Sequence, residues 1–436
     1  MSNGFRLVFR TLRYRNYRLF FGGQLISLTG TWMQQVALTW LVYRMTNSPF
    51  LLGVVGFAGQ FPSFILSPFA GVLADRMNKH RILLFTQTAS MIQAAILAAL
   101  TLTGVIAVWH IISLSIVLGI INAFDMPTRQ SFLLEMIERR EDLPNAIALN
   151  SSMFNGARLI GPSIAGLVIS VLGEGLCFLL NAVSYLAVIA ALMAMKSLPP
   201  RQEPKTEGVL SGFAEGLRYI VHSASIRSIL LLLALVSIMG VPYSVLMPIF
   251  ARDILHGGPY TLGFLMAATG VGALAGALVL ASRNKVVGLG RWIPIACCVF
   301  AVGLIAFSLS STLWLSMVFL FMVGLGMMVQ MASSNTILQT IADDDKRGRV
   351  MSFYTVSFMG MVPFGSLLAG SLAGAIGAPT TLLISGCACL LGAALFSTRL
   401  PAIRTEIRPI YVRLGLIPEL STGVRTLSEV ALPPEH

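Results

Sequence analysis

Gly71-Val-Leu-Ala-Asp75-Arg76-Met-Asn-Lys79-His80-Arg81 joins two long apolar runs, and its reading decides the fold. One carboxylate and three fixed cations are packed into this short link. Because each flank is long enough to cross hydrocarbon, the charges must lie at a membrane surface. Outward from this link the rest of the chain agrees. Charged residues make up 11% of 436 and hydrophobic residues 56%, against roughly a quarter charged in soluble domains, so this is an integral membrane protein.

The net charge of +12 would suit nucleic acid if it were clustered, but it is not. Numbering the polar breaks as alternate loops, and placing Arg129 in the fourth, 27 of the 30 Lys and Arg residues fall in the N-terminus, the even loops and the tail. Arg44 and Arg252 alone lie in odd loops, and Arg158 lies inside a span. The positive-inside rule accounts for this asymmetry without nucleic acid and places both termini in the cytoplasm of a cell membrane. The first apolar run, Tyr17 to Tyr43, follows a basic leader and has no small-residue cleavage site, so it reads as an uncleaved span. The five cysteines fall inside apolar runs, which excludes a disulfide framework. Cys387 and Cys389 point to different helix faces and have no His nearby, so no metal site is expected.

Apolar periodicity predicts an all-α membrane protein of twelve spans in two six-helix bundles. A basic N-terminus covers 1–16 and the first bundle 17–195, with spans at 17–43, 50–74, 82–103, 108–126, 145–171 and 175–195. A cytoplasmic linker with an interfacial helix covers 196–226. The second bundle covers 227–398, with spans at 227–250, 260–281, 291–310, 313–335, 348–373 and 379–398, and a cytoplasmic tail read as disordered covers 399–436. Pro162 in the fifth span and Pro363 in the eleventh stand 201 residues apart, and an acidic-basic loop precedes each. That correspondence indicates a six-plus-six repeat, whose substrate site lies near the midplane between bundles that rock against each other.

With the spans placed, residues 71–81 resemble the G-x-L-A-D-R-x-G-R-K-R signature of the major facilitator superfamily, with Asn78 replacing a glycine and His80 a fixed cation. Asn78 tolerates the left-handed conformation that a glycine would take, so the replacement need not break the turn. Gly156-Ala-Arg158-Leu-Ile-Gly161-Pro162-Ser-Ile-Ala-Gly166 is similar to the glycine-proline motif of exporters in that superfamily. The stretches Phe124-Asp125-Met-Pro127-Thr-Arg129 and Leu143-Pro-Asn145-Ala-Ile-Ala-Leu-Asn150 resemble the subgroup of the enterobactin exporter and the macrolide efflux proteins. The arginine that many proton-coupled exporters carry within the fourth span is missing.

The resemblance implies a secondary active exporter of a siderophore, macrolide or related small amphipathic molecule, working by alternating access and driven by protons, as a monomer without cofactor. It also places Asp75 against the N-terminus of the eleventh helix; with Arg76 reaching Asp125, the residues Gly71, Asp75, Arg76, Lys79, Arg81 and Asp125 are expected to form a cytoplasmic gate, the alternative being a solvated loop whose charges only fix topology. A carboxylate suits that helix end. Arg158, the only cation read deep in a span, must face a partner or a water-filled cavity, and structural pairing and substrate contact are equally open. Asn155, Gln24 and Asn181 are the amides expected at the cavity. Gly156, Gly161 and Gly166 should permit close helix approach, and Pro162 should let the fifth helix bend. Asp125 is the expected proton carrier. No nucleotide-binding, metalloprotease or serine-hydrolase motif is present, so no enzyme is expected. A membrane sensor or scaffold acting through linker and tail is the alternative.

Overall fold

The computed structural model describes residues 10–195, 209–283 and 287–414; the side chains of 68, 72–76, 140 and 209–214 lie outside the described set. All regular structure in it is helical. The first bundle is α1 (Arg15–Thr46), α2 (Pro49–Arg76), α3 (Lys79–Leu102), α4 (Val108–Glu135), α5 (Leu143–Leu172) and α6 (Glu174–Met193). An amphipathic helix, α7 (Val209–His222), precedes the second bundle. That bundle comprises α8 (Ala224–Ile254), α9 (Pro259–Ala281), α10 (Leu289–Ser308), α11 (Leu313–Ile341), α12 (Arg347–Ile376) and α13 (Ala378–Arg413). Eleven of these segments are long and apolar enough to cross a membrane; α1, with 32 residues, carries Gln24, Gln34 and Gln35 and completes the twelve spans.

Short corners set the helix ends. Ser48, Asn78 and Ser223 each accept a hydrogen bond from the backbone N–H three residues on, which satisfies a donor the helix cannot pair itself. Asn78 has φ −68°, so it is not left-handed; it replaces the signature glycine as an N-cap. Gly173 (φ 82°) and Gly377 (φ 85°) turn the chain between α5 and α6 and between α12 and α13, a left-handed geometry that costs other residues energy. The two corners occupy equivalent places in the repeat.

Large apolar side chains face outward where lipid would lie, and uncharged polar side chains are buried within an otherwise apolar interior. Phe85, Val171 and Trp314 are largely exposed, whereas Gln24, Gln34, Gln93 and Asn181 are buried. Inside the first bundle Asn181 Nδ2 donates to Gln34 Oε1 (2.8 Å), and Gln34 Nε2 donates to Gln93 Oε1 (3.2 Å). These bonds tie α1, α3 and α6 without any aqueous surface.

Two helices run furthest past the expected span ends. The fourth, read as stopping at 126, continues to Glu135, so Arg129 belongs to a helix rather than to a loop. The last continues to Arg413, so 399–413 are helical rather than tail. Ile403, Ile407 and Tyr411 are buried along this extension, and Glu406 accepts from Ser223 Oγ (2.8 Å) and from Ser225 N (3.0 Å). A carboxylate there meets the positive end of α8.

The bundles meet along two seams, α5 with α9 and α2 with α12, and both seams are tight at one face only. At the cation-poor face a Cβ on Gly53 would lie 2.6 Å from Ser366 O, and one on Gly263 would lie 2.8 Å from Pro162 O. Toward the basic face Gly71, Gly156 and Gly348 have nothing within 4 Å of a Cβ. Among the described residues the close approaches between the bundles therefore lie toward the cation-poor face, and these glycines show none toward the basic one.

Candidate transport site and gates

Arg158 sits where the α5 seam opens. Gly161, one turn on, has no side chain, and a Cβ there would lie 2.5 Å from Trp32 Cβ and 2.9 Å from Thr29 O. That space lets α1 approach, so the Trp32 ring lies 5.8 Å from the Arg158 guanidinium, with Phe154 edge-on to Trp32 at 5.8 Å. From the other bundle the Tyr243 hydroxyl lies beside Arg158. Among the described residues no carboxylate pairs with this cation. An aromatic face and a phenol hydroxyl hold the guanidinium without supplying a counter-charge, unlike a carboxylate.

Asp125 lies within α4, one turn from Arg129, and the two form an ion pair at 2.7 Å. Thr86 Oγ1 (2.9 Å) and Gln87 Nε2 (2.7 Å) donate to the same carboxylate. Arg129 Nη1 reaches Gln24 Oε1 at 3.4 Å. Gln24 therefore belongs to a charged cluster of α1, α3 and α4 rather than to the surround of Arg158. Arg158 is not the only cation deep in the helices, because the fourth helix extends past Arg129. The signal was present as an Asp and an Arg spaced i, i+4 beside Pro127, which a loop reading concealed.

The remaining expected site residues are distributed differently. Asn155 is half-buried and donates to Ser151 O within its own helix (2.9 Å). Asn181 is fully buried and bonded to Gln34 and Ser184, which commits it to packing. Gly166 meets Pro259, Tyr260 and Gly263 across the bundle interface, while Gly156 meets no side chain or neighbouring helix within 4 Å. Of the three glycines, two make close approaches. Pro162 lies inside a continuous α5 and contributes its carbonyl to the Gly263 contact.

In the signature loop the Asp75 and Arg76 side chains lie outside the described set. Lys79 is buried and pairs with Glu135 of α4 at 3.0 Å, so it binds its own bundle. His80 contacts Leu192 O (2.8 Å) and Arg81 is exposed. Sequence reading also missed Trp32, Tyr243 and the polar contacts of Tyr43 and Asp253 between bundles, for which periodicity holds no signal.

Twelve spans in two repeat-related bundles, parting at one face around a midplane cation, define a membrane transporter of the major facilitator type. A family model described as transmembrane secretion effector matches residues 8–411, and the chain belongs to that family. It is 25% identical to the staphyloferrin A transporter of Staphylococcus aureus, over 85% of this chain and 92% of that protein. It is 27% identical to the multidrug efflux pump Tap of Mycolicibacterium fortuitum (86% and 93%) and 24% identical to macrolide efflux protein A of Streptococcus pyogenes (86% and 94%). The crystal structure of a bacterial homologue of the human lysosomal transporter Spinster, inward-facing and unoccupied, shares the fold, with a TM-score of 0.70, 15% identity and coverage of 91% and 98%.

Proposed function

We propose that this chain exports a small amphipathic molecule from the cytoplasm across the plasma membrane by alternating access, driven by protons. The observation that carries this is Arg158, held against Trp32 and Tyr243 from opposite bundles where the interface opens toward the basic face. Its uncompensated charge favours a cargo with an anionic or strongly polar part and an aromatic or apolar body. The staphyloferrin and multidrug relatives support that class of cargo.

The positive-inside asymmetry supports a cytoplasmic basic face with both termini on that side. On this reading the structure is open to the cytoplasm. Gly71, Asp75, Arg76 and Arg81 form the inner gate, which closes on the start of α12 when the bundles rock; contacts of this kind, roughly 0.3 to 2 kcal/mol each, suffice to bias a nearly balanced equilibrium. Asp125 is the proton carrier, and Arg129 is its counter-ion. The chain acts as a monomer.

The test compares small molecules released by cells with and without the intact gene product, with and without a protonophore. An exported compound whose release collapses with the protonophore is expected. No difference in any exported compound, together with signalling changes in cells lacking the protein, would favour a sensor instead.

A further inference from the structure

Alternating access requires a gate on each face, and residues 71–81 serve only the inner one. At the cation-poor face α8 ends in a π turn, Phe250–Ile254. Arg252 and Asp253 lie within this turn and reach α1 of the other bundle. Tyr43, which is buried, donates its phenol hydrogen to the Asp253 carboxylate. The Arg252 guanidinium lies 5.8 Å from the centre of the same ring, and its Nη1 donates to Asn47 Oδ1 at 2.7 Å. Asn47 is left-handed (φ 49°) and closes α1, so its amide is held by the backbone corner itself. The adjacent Arg44 is bound by Glu174 of α6, Nε to Oε1 at 2.7 Å. The exposed His256 follows on the same corner.

The glycine seams below this cluster are contacts of backbone and apolar atoms, which hold shape but have no directional bond to break. We infer that Tyr43 and Asp253, supported by Arg252 and Asn47, are the outer latch: positioning residues that hold the outer face shut while the inner face is open. This inference rests on the alternating-access reading. Loss of a hydrogen bond to a charged acceptor should shift the closed-to-open ratio at the outer face roughly tenfold.

The test uses the full chain in lipid nanodiscs, with its five native cysteines replaced and spin labels placed at exposed positions. Val105 and Leu309 report the outer face, and Arg139 and Arg399 the inner face. Electron–electron distances are compared for the parent, Tyr43→Phe, Asp253→Asn and the double substitution. The expected result is a longer outer distance in both single variants, with the inner distance shortening in step. The double substitution should open no further than either single one, because both remove the same bond. Unchanged outer distances with only a lowered melting temperature would overturn the latch and leave a structural contact. Outer opening without any inner closure would leave the latch standing and refute alternating access.

Discussion

Arg129 and Asp125 are paired at 2.7 Å one turn apart on α4, with Thr86 and Gln87 completing the carboxylate's hydrogen bonds. Breaking a buried pair leaves an uncompensated charge in a low dielectric, which costs on the order of 3 kcal/mol. Arg129→Gln should therefore lower the melting temperature more than the double substitution Arg129→Gln with Asp125→Asn, which removes both charges. Thermal unfolding in detergent or nanodiscs measures this. Equal losses would show that Asp125 is neutralised by something other than Arg129.

Gly156 and Gly161 belong to one sequence motif but to different environments. Gly156→Ala fills open space and should be neutral or stabilising by up to about 1 kcal/mol, from helix propensity. Gly161→Ala places a methyl 2.5 Å from Trp32 Cβ and 2.9 Å from Thr29 O, neither of which is a flexible side-chain end. Loss of about 1 to 3 kcal/mol is expected, with displacement of Trp32 from Arg158. Tryptophan fluorescence and melting separate the two variants.

Tyr14 and Asp142 are repeated as Tyr219 and Asp343 in the second half. Each tyrosine precedes or begins its half's first span, and each aspartate precedes its fifth. Tyr14 donates to Asp142 at 2.6 Å and Tyr219 to Asp343 at 3.1 Å. The surrounding charges are exchanged between halves. Arg10 and Arg13 of the leader hold Asp142 at 2.7 and 2.5 Å, whereas Glu215 of α7 holds Lys346 and Arg349.

The Tyr14 hydroxyl, reinforced by Arg10 and Arg13, keeps Asp142 below the usual carboxylate range, and Lys346 followed by Arg349 does the same to Glu215. A lowered folded value means that the stabilisation is complete above the unfolded value of about 4 and is lost as pH falls through the folded one. Melting between pH 7 and about 3 should therefore drop less steeply in Asp142→Asn and Glu215→Gln than in the parent, with both variants less stable at pH 7. Parallel pH profiles would exclude these carboxylates as the source.

Arg158 has aromatic neighbours and, among the described residues, no carboxylate partner; on the proposed function its charge is available to cargo. Arg158→Gln should leave stability within about 1 kcal/mol while lowering transport of an anionic cargo at least roughly tenfold. Arg158→Lys keeps the charge but loses the planar stacking surface and should fall between. Reduced folded yield in both variants, with normal transport per molecule, would assign Arg158 to structure.

Local physics made most of the architecture legible. Apolar runs of bilayer length, the Lys and Arg asymmetry and the matched Pro162 and Pro363 each act through a stretch of chain or a composition, and these determined the spans and the repeat. The amphipathic segment before the second bundle was equally readable. What failed were ends and partners. Hydropathy stops at 126 and at 398, yet α4 and α13 continue, because Glu135 binds Lys79 and because Ile403, Ile407 and Tyr411 find a surface that only the folded bundle supplies.

Partnership was decided by the tertiary structure alone. Arg129 is paired with Asp125, Asn181 is spent on Gln34, and Arg158 rests on Trp32 because Gly161 admits α1. A polar side chain in a membrane must find a partner, and the sequence states that requirement clearly. Which group meets it depends on helix rotation and on distances between segments far apart in the chain, and those exist only after packing.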